Sequence, residues 1–429
     1  MDGLKQTGCG RVHDPGAIGV LNKGTALLEQ PIAHDEIAGR GWNLLREDLT
    51  LPAAVLYEDA LEHNLEWMRH FMDAYGARLA PHGKTTMAPQ LFAMQLQAGA
   101  WGITLATAHQ TQVAYAHGVR RVLMANQLIG KQNMAIVADF VRDPDFEFYC
   151  LIDSAEQVEQ LGSYFSDCGA KLNVLLEVGV DGGRAGVRTR EQLQSTLDAL
   201  GKWSDAIALC GVEVYEGVLD NEVEIRAFLL HAVEVTKEIA AKKRFQRTPI
   251  LLSGAGSAWY DVVAEVFSLQ EFQEPVEVVL RPGCYLTHDV GAYRRAQDRI
   301  LKSNPVARQM GAGLKTALQV WAYVQSVPEA DKAIVGLGRR DAAFDSGLPV
   351  PALHFRPGSA APHPVPANWI VTRMMDQHAY LQIAASDDIR PGDMIAFDIA
   401  HPCLTFDKWR VLALVNDAYD VVDLIQTFF

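Results

Sequence analysis

From about residue 75 to 285, short apolar runs rich in β-branched residues alternate with longer segments whose apolar positions recur at helical spacing. The runs RLAPHG, GITLATA, RVLMANQ, EFYCLID, LNVLLEVGV, LCGVEVYEG, PILLSGA and VEVVLRPG predict eight strands. Segments such as APQLFAMQLQAGA, AEQVEQLGSYF, REQLQSTLDALGKW and EIRAFLLHAVEVTKEIAAKK predict helices between them. Each strand is nearly continuous in apolar residues, the pattern that arises when helices cover one side of a parallel sheet and a core fills the other. Eight such alternations over roughly 200 residues predict an α/β fold, a (β/α)8 TIM-type barrel near its lower size limit. A doubly wound open sheet is the alternative, because alternation alone does not fix closure.

After about residue 285 the period changes. QVWAYVQSV, KAIVGLG, NWIVTRMM, HAYLQIA, DMIAFDI, WRVLALV and YDVVDLIQTF read as strands separated by turns such as RPGD and GRRD. The expected division is therefore a barrel over 46–285, then a mostly β C-terminal domain over 286–429, to which part of the irregular, Gly-rich residues 1–45 adds.

Composition narrows the class without naming it. Hydrophobic residues make up 49% and charged residues 21% of 429, an ordinary globular balance. A formal charge of −14 argues against nucleic acid or an anionic membrane as partner, since both need a basic face. No apolar run approaches the roughly 18 residues that span a bilayer, and the first residues lack a basic-then-apolar signal layout. The six cysteines are scattered with no CxxC pair, which reads as free thiols in a reducing, cytoplasmic setting.

In an eight-stranded barrel the chemistry collects at the carboxyl ends of the strands. Those ends read Pro81-His82-Gly83-Lys84-Thr85-Thr86, Thr107 with His109, Asn126, Glu177 into Asp181-Gly182-Gly183-Arg184, Tyr215-Glu216-Gly217, Ser253-Gly254-Ala255-Gly256-Ser257 and Arg281-Pro282-Gly283-Cys284-Tyr285. The glycines after the seventh strand let backbone approach an anion, and a following helix start supplies free N–H groups, so this turn reads as a phosphate site. Lys84 falls where a lysine partly withdrawn from water becomes a usable amine for Schiff-base chemistry. Arg184 is either a phosphate or ring partner or a plain loop charge.

PHGKTTMAP, DGGRAGV, YEG, SGAGS and RPGCY, in this order on five strand ends, resemble the D-serine dehydratase and D-threonine aldolase group of the alanine-racemase-like pyridoxal-phosphate enzymes. The resemblance runs from about residue 50 to the carboxyl end. It implies a barrel binding pyridoxal 5'-phosphate, followed by a β domain, working as a homodimer on a small D-amino acid. It implies Lys84 as the residue that bonds the cofactor, Arg184 and Tyr215 lining its ring, and Ser253, Gly254, Gly256, Ser257, Gly283, Cys284 and Tyr285 in the phosphate-binding turns. It also places His378 near the substrate as a catalytic residue. One departure is Thr86, where the family commonly carries a histidine; it leaves Lys84 untouched and the exact substrate open.

The segment Asp398-Ile399-Ala400-His401-Pro402-Cys403 poses a metal question. Alternate residues of an extended segment face one way, so His401 and Cys403 could reach one ion. Imidazole plus thiolate favours zinc over magnesium, although the spacing alone also suits a core cysteine beside a loop histidine. The resemblance implies a divalent metal there, zinc first, with manganese or magnesium as alternatives, and a cysteine at this place points to the dehydratases. The implied activity is a lyase that dehydrates and deaminates D-3-hydroxy amino acids to a 2-oxo acid and ammonia. Alternatives are retro-aldol cleavage of the D-threonine aldolase type, a D-glucosaminate-type dehydratase, and a non-catalytic cofactor-binding protein. His13, His34, His70, His117, His288 and His354 read as ordinary loop or surface residues.

Overall fold

The computed structural model describes residues 16–256 and 258–429, and their contacts divide into two compact units. The first unit takes in residues 72–84 and 92–283 among those described. Its eight strands are Arg78–Leu79, Ile103–Leu105, Arg121–Gln127, Glu147–Ile152, Leu172–Val178, Ile207–Val214, Ile250–Gly254 and Val276–Leu280, all paired in parallel. The eighth strand pairs with the first. The first meets the second through a parallel bridge between His82 and Thr104, with Thr104 N–H donating to Pro81 O at 2.8 Å and Trp101 N–H to Leu79 O at 2.7 Å. The sheet therefore closes as a barrel, and the open-sheet alternative falls.

Local chemistry explains where the barrel's helices begin. Thr107, Ser154, Thr189 and Asn221 each sit in extended backbone and accept a hydrogen bond from the first turn of the helix that follows. Thr189 and Gln192 complete a capping box. Inside the barrel, Ala80, Trp101, Leu123, Tyr149, Leu175, Cys210, Leu251 and Val279 form one buried cluster, a packed core in place of a pore. The amino ends of the strands are tied by charge: Glu147 bonds Arg121, Tyr149 and Arg247. Ionic work is thus spent on holding one end, and the opposite end is left to carry a site.

The second unit comprises residues 16–71, 85–91 and 284–429. Its sheet has ten strands, ordered along its main path His363–Pro364, Val350–Phe355, Met394–Asp398, Leu318–Glu329, Ala53–Tyr57, Val411–Val415, Val421–Gln426. Lys332–Val335, Ala379–Gln382 and Ile370–Met374 extend it from Leu318–Glu329. Ala53–Tyr57 runs antiparallel to Leu318–Glu329 and parallel to Val411–Val415, so residues 46–71 belong here and not with the barrel, as do 85–91. The reason is burial on both faces: Ala53, Ala54, Val55 and Leu56 are all buried, as a central strand requires. Ile18, Ile32, Ile37, Leu44 and Leu49 pack with Trp321, Phe355 and Val411 into this unit's core. Helices Ala292–Ser303 and Pro305–Met310 add to a segment expected to be mostly β. No helix among the described residues is long and apolar enough to cross a membrane.

Candidate active site

The carboxyl ends of the barrel strands gather the first group of functional side chains. Lys84 lies in the single turn Gly83–Thr85 just past the first strand. Gly83 is required there, because a Cβ would come within 2.6 Å of Ile103 and 2.8 Å of Phe92. Lys84 is exposed and makes no hydrogen bond or ion pair with a described residue, so the withdrawal from water expected of it is not seen in the single chain.

Beside it, His82 presents a buried Nδ1 with no partner. Burial, and then the positive charges of Arg281, Lys84 and Arg184, hold the ring well below the usual histidine range, so it is a neutral imidazole. Past the seventh strand, Ala255 stands at φ 65° and its N–H donates to Glu216 Oε2 at 3.0 Å. A Cβ on Gly256 would lie 3.2 Å from the Tyr215 ring and 3.4 Å from His82 Nε2, so glycine keeps the space over these two side chains open. Ser257, the last residue expected in this turn, lies outside the described residues.

Arg184 places its guanidinium 4.7 Å from the centre of the Tyr215 ring and 4.0 Å from Glu177. Beneath it, buried Arg281 is bonded to buried Glu213 and donates to Val214 O at 3.0 Å. Burial pushes the Glu213 carboxyl up to about 8, against the pull of Arg281. Glu177 is raised by burial too, while Gln127 donates to it at 2.5 Å. Glu213 Oε2 and Arg281 Nε remain buried without a partner. A native core leaves few such atoms, because each costs roughly 1–3 kcal/mol. Three of them together, amid the cations Lys84, Arg184 and Arg281, describe a pocket suited to an anionic, polar ligand.

The second unit holds a different cluster. Cys403 Sγ lies 3.6 Å from Cys284 Sγ and 3.4 Å from Thr85 Oγ1, and Thr85 Oγ1 is 4.0 Å from Cys284 Sγ. His401 Nδ1 bonds Asp345 at 2.7 Å. The hydrogen bond from Cys284, together with those from His401 and Thr85, brings the Cys403 thiol down to about 4 despite burial. The same contact pushes Cys284 well up. His401 rises to about 9, first through Cys403 and then through Asp345. The two shifts favour a deprotonated Cys403 beside a protonated His401. The extended segment expected here is instead a short helix, Pro402–Phe406, with His401 as its N-cap, because proline at the first helical position starts a turn. No group of three or more His, Cys, Asp or Glu among the described residues is arranged to hold a metal. With Nδ1 tied to Asp345, His401 would offer Nε2 to an ion, the usual carboxylate–histidine arrangement.

Ser253 spends its hydroxyl on Val279 O at 3.0 Å, and Cys284 belongs to the thiol cluster. Gly283 and Tyr285 are buried. His378 is exposed on the turn joining Ile370–Met374 to Ala379–Gln382, and its ring bonds no described residue. His288 and His354 are buried, not surface residues, and His354 bonds Asp393 at 2.9 Å. Sequence reasoning gave no role to His82, Glu177, Glu213, Glu216 or Arg281. The signal was there for Glu177 and Glu213: a carboxylate inside an otherwise apolar strand has to be paired or neutral.

Closed barrel, strand-end lysine and anion pocket define the alanine-racemase-like class. Residues 57–286 match the alanine racemase N-terminal domain, and 317–415 match the putative serine dehydratase domain. The chain belongs to this alanine-racemase-like family, in its D-serine dehydratase and D-threonine aldolase group. A D-threonine aldolase from an Arthrobacter species is 22% identical over 85% of this chain and 89% of its own. A D-threo-3-hydroxyaspartate dehydratase from Delftia sp. (strain HT23) is 31% identical over 32% of this chain and 36% of its own. Among solved structures, D-threonine aldolase from Filomicrobium marinum superposes with a TM-score of 0.73 at 23% identity, covering 90% of this chain and 97% of that one. D-threo-3-hydroxyaspartate dehydratase has been solved as a histidine-to-alanine mutant and, two positions on, as a cysteine-to-alanine mutant in a metal-free form.

Proposed function

We propose that this protein dehydrates and deaminates D-3-hydroxy amino acids to a 2-oxo acid and ammonia, using pyridoxal 5'-phosphate and a divalent metal. By family it is a pyridoxal-phosphate-dependent lyase. Lys84 would hold the cofactor covalently, and the cations around His82 and the Gly254–Gly256 turn would face its phosphate. His401 and Cys403 would hold the metal, zinc before manganese or magnesium. Bound there, the cofactor supplies an electron sink for a bond broken at Cα, and the metal a Lewis acid for the β-hydroxyl. Lys84 Nζ would also be the base that accepts the Cα proton. Arg184, stacked on Tyr215, forms a fixed positive wall. His82, neutral, donates or accepts a hydrogen bond without adding charge. His378 we keep as a substrate-side residue within a homodimer, a reading favoured by its exposure and that of Phe344, Ile370 and Met375.

The observation that carries dehydration over other outcomes is Cys403 standing two residues after His401, the spacing of the two mutated positions in the hydroxyaspartate dehydratase. The second reading, retro-aldol cleavage to glycine and an aldehyde, is favoured by the length of the match to D-threonine aldolase. Product analysis with D-serine, D-threonine and D-3-hydroxyaspartate decides between them. Keto acid and ammonia, lost with a chelator and restored by zinc or manganese, support dehydration. Glycine plus an aldehyde overturns it.

A further inference from the structure

Cys284 and Cys403 are 119 residues apart in sequence, yet their sulfurs are in van der Waals contact at 3.6 Å, with Thr85 against both. Cys150 and Cys210 are buried, whereas Cys284 and Cys403 are half-buried. A disulfide requires an S–S distance near 2.05 Å, so each sulfur has to move by less than ~1 Å. We infer that Cys284 and Cys403 form a reversible redox pair, closed to an intrachain disulfide by hydrogen peroxide and reopened by a dithiol.

The step balances as follows. Cys403 Sγ attacks one oxygen of the peroxide; the O–O bond breaks, one water leaves, and the sulfur becomes a sulfenic acid. Cys284 Sγ gives up its proton and attacks that sulfur; the S–O bond breaks and a second water leaves. Two thiols have lost two electrons and two protons, and one peroxide has become two waters. The consequence for activity rests on the metal reading above: in the disulfide, Cys403 Sγ is bonded to sulfur and no longer free for an ion, and His401 is left without its fellow donor.

The test uses the full-length, zinc-loaded protein treated with hydrogen peroxide, digested without reductant and read by mass spectrometry. The expected product is one peptide pair joining Cys284 to Cys403, lighter by two hydrogens and restored by dithiothreitol, with loss of bound zinc on oxidation and its return on reduction. Cys284→Ser removes the link and sends Cys403 to the irreversible sulfinic acid, whereas Cys168→Ser leaves the link intact. Two alkylatable thiols after oxidation, a sulfinic Cys403 in the unaltered protein, a link between chains, or zinc retained by the linked form would overturn the proposal. A link that forms in a protein binding no zinc when reduced refutes the metal reading instead and leaves the redox pair standing.

Discussion

The barrel mouth and the thiol cluster differ in how their polar atoms are satisfied. At the barrel mouth His82 Nδ1, Glu213 Oε2 and Arg281 Nε are buried and unpartnered. In the cluster around Cys403, His401 is met by Asp345, and Cys403 by Thr85 and Cys284. The first arrangement is incomplete without a ligand, and the second is self-consistent as it stands. An incomplete site stores unfavourable desolvation that a ligand relieves on arrival. A self-satisfied site has to give up existing hydrogen bonds to accept one, which makes it responsive to whatever competes for the same sulfur.

The largest effect that would break this contrast lies at Lys84. Lys84→Ala should abolish borohydride-fixed pyridoxyl label and lower turnover by at least ~10²-fold, the low end for a lost positioned base. Label on another lysine, found by peptide mapping, would move the site. Next is Arg281→Ala, which leaves Glu213 buried without its partner and should cost about 1–3 kcal/mol of stability in denaturant titration. Asp345→Asn then sharpens the other half. Removing the carboxylate behind His401 should weaken zinc binding about 10–100-fold by competition with a chromophoric chelator, with little change in cofactor content. Gly256→Ala puts a Cβ 3.2 Å from Tyr215 and should weaken pyridoxal-phosphate binding by roughly one decade, ~1.4 kcal/mol, in fluorescence titration, with zinc affinity unchanged.

A further effect is a pH dependence. The Glu213 carboxyl is raised from 4.5 to about 8, so its contribution to stability is fully present below about pH 4.5 and is lost as pH rises through 8. Glu213→Gln, fixed in the neutral form, should lack this decline. Parallel stability–pH curves for the two proteins would show that the Glu213 carboxyl titrates in the folded protein as it does in the unfolded chain.

How much of this was legible beforehand follows from range. The eight barrel strands declare themselves because each is a continuous apolar run with both sides covered. Ala53–Tyr57 does not: AAVLY abuts a helix, and its partners lie beyond residue 317 and beyond residue 410, which no local pattern reveals. Val350–Phe355 was lost to the proline inside it, which a strand tolerates at the register shift near Pro351. Lys84, Arg184, Tyr215 and Gly256 were readable because motif and strand end coincide. Arg281 and Glu213 stand 68 residues apart, and nothing short of the closed barrel pairs them. Pro402 was a visible helix start, overlooked in favour of alternation.

Because the carboxyl of Glu216 grips the N–H of Ala255, whose left-handed backbone costs ~1–2 kcal/mol, the loops leaving the sixth and seventh strands act as one mechanical part. An engineer wishing to graft new substrate preference onto the YEG loop would disturb the SGAGS turn as well. The two would have to be transplanted together, as a matched cassette.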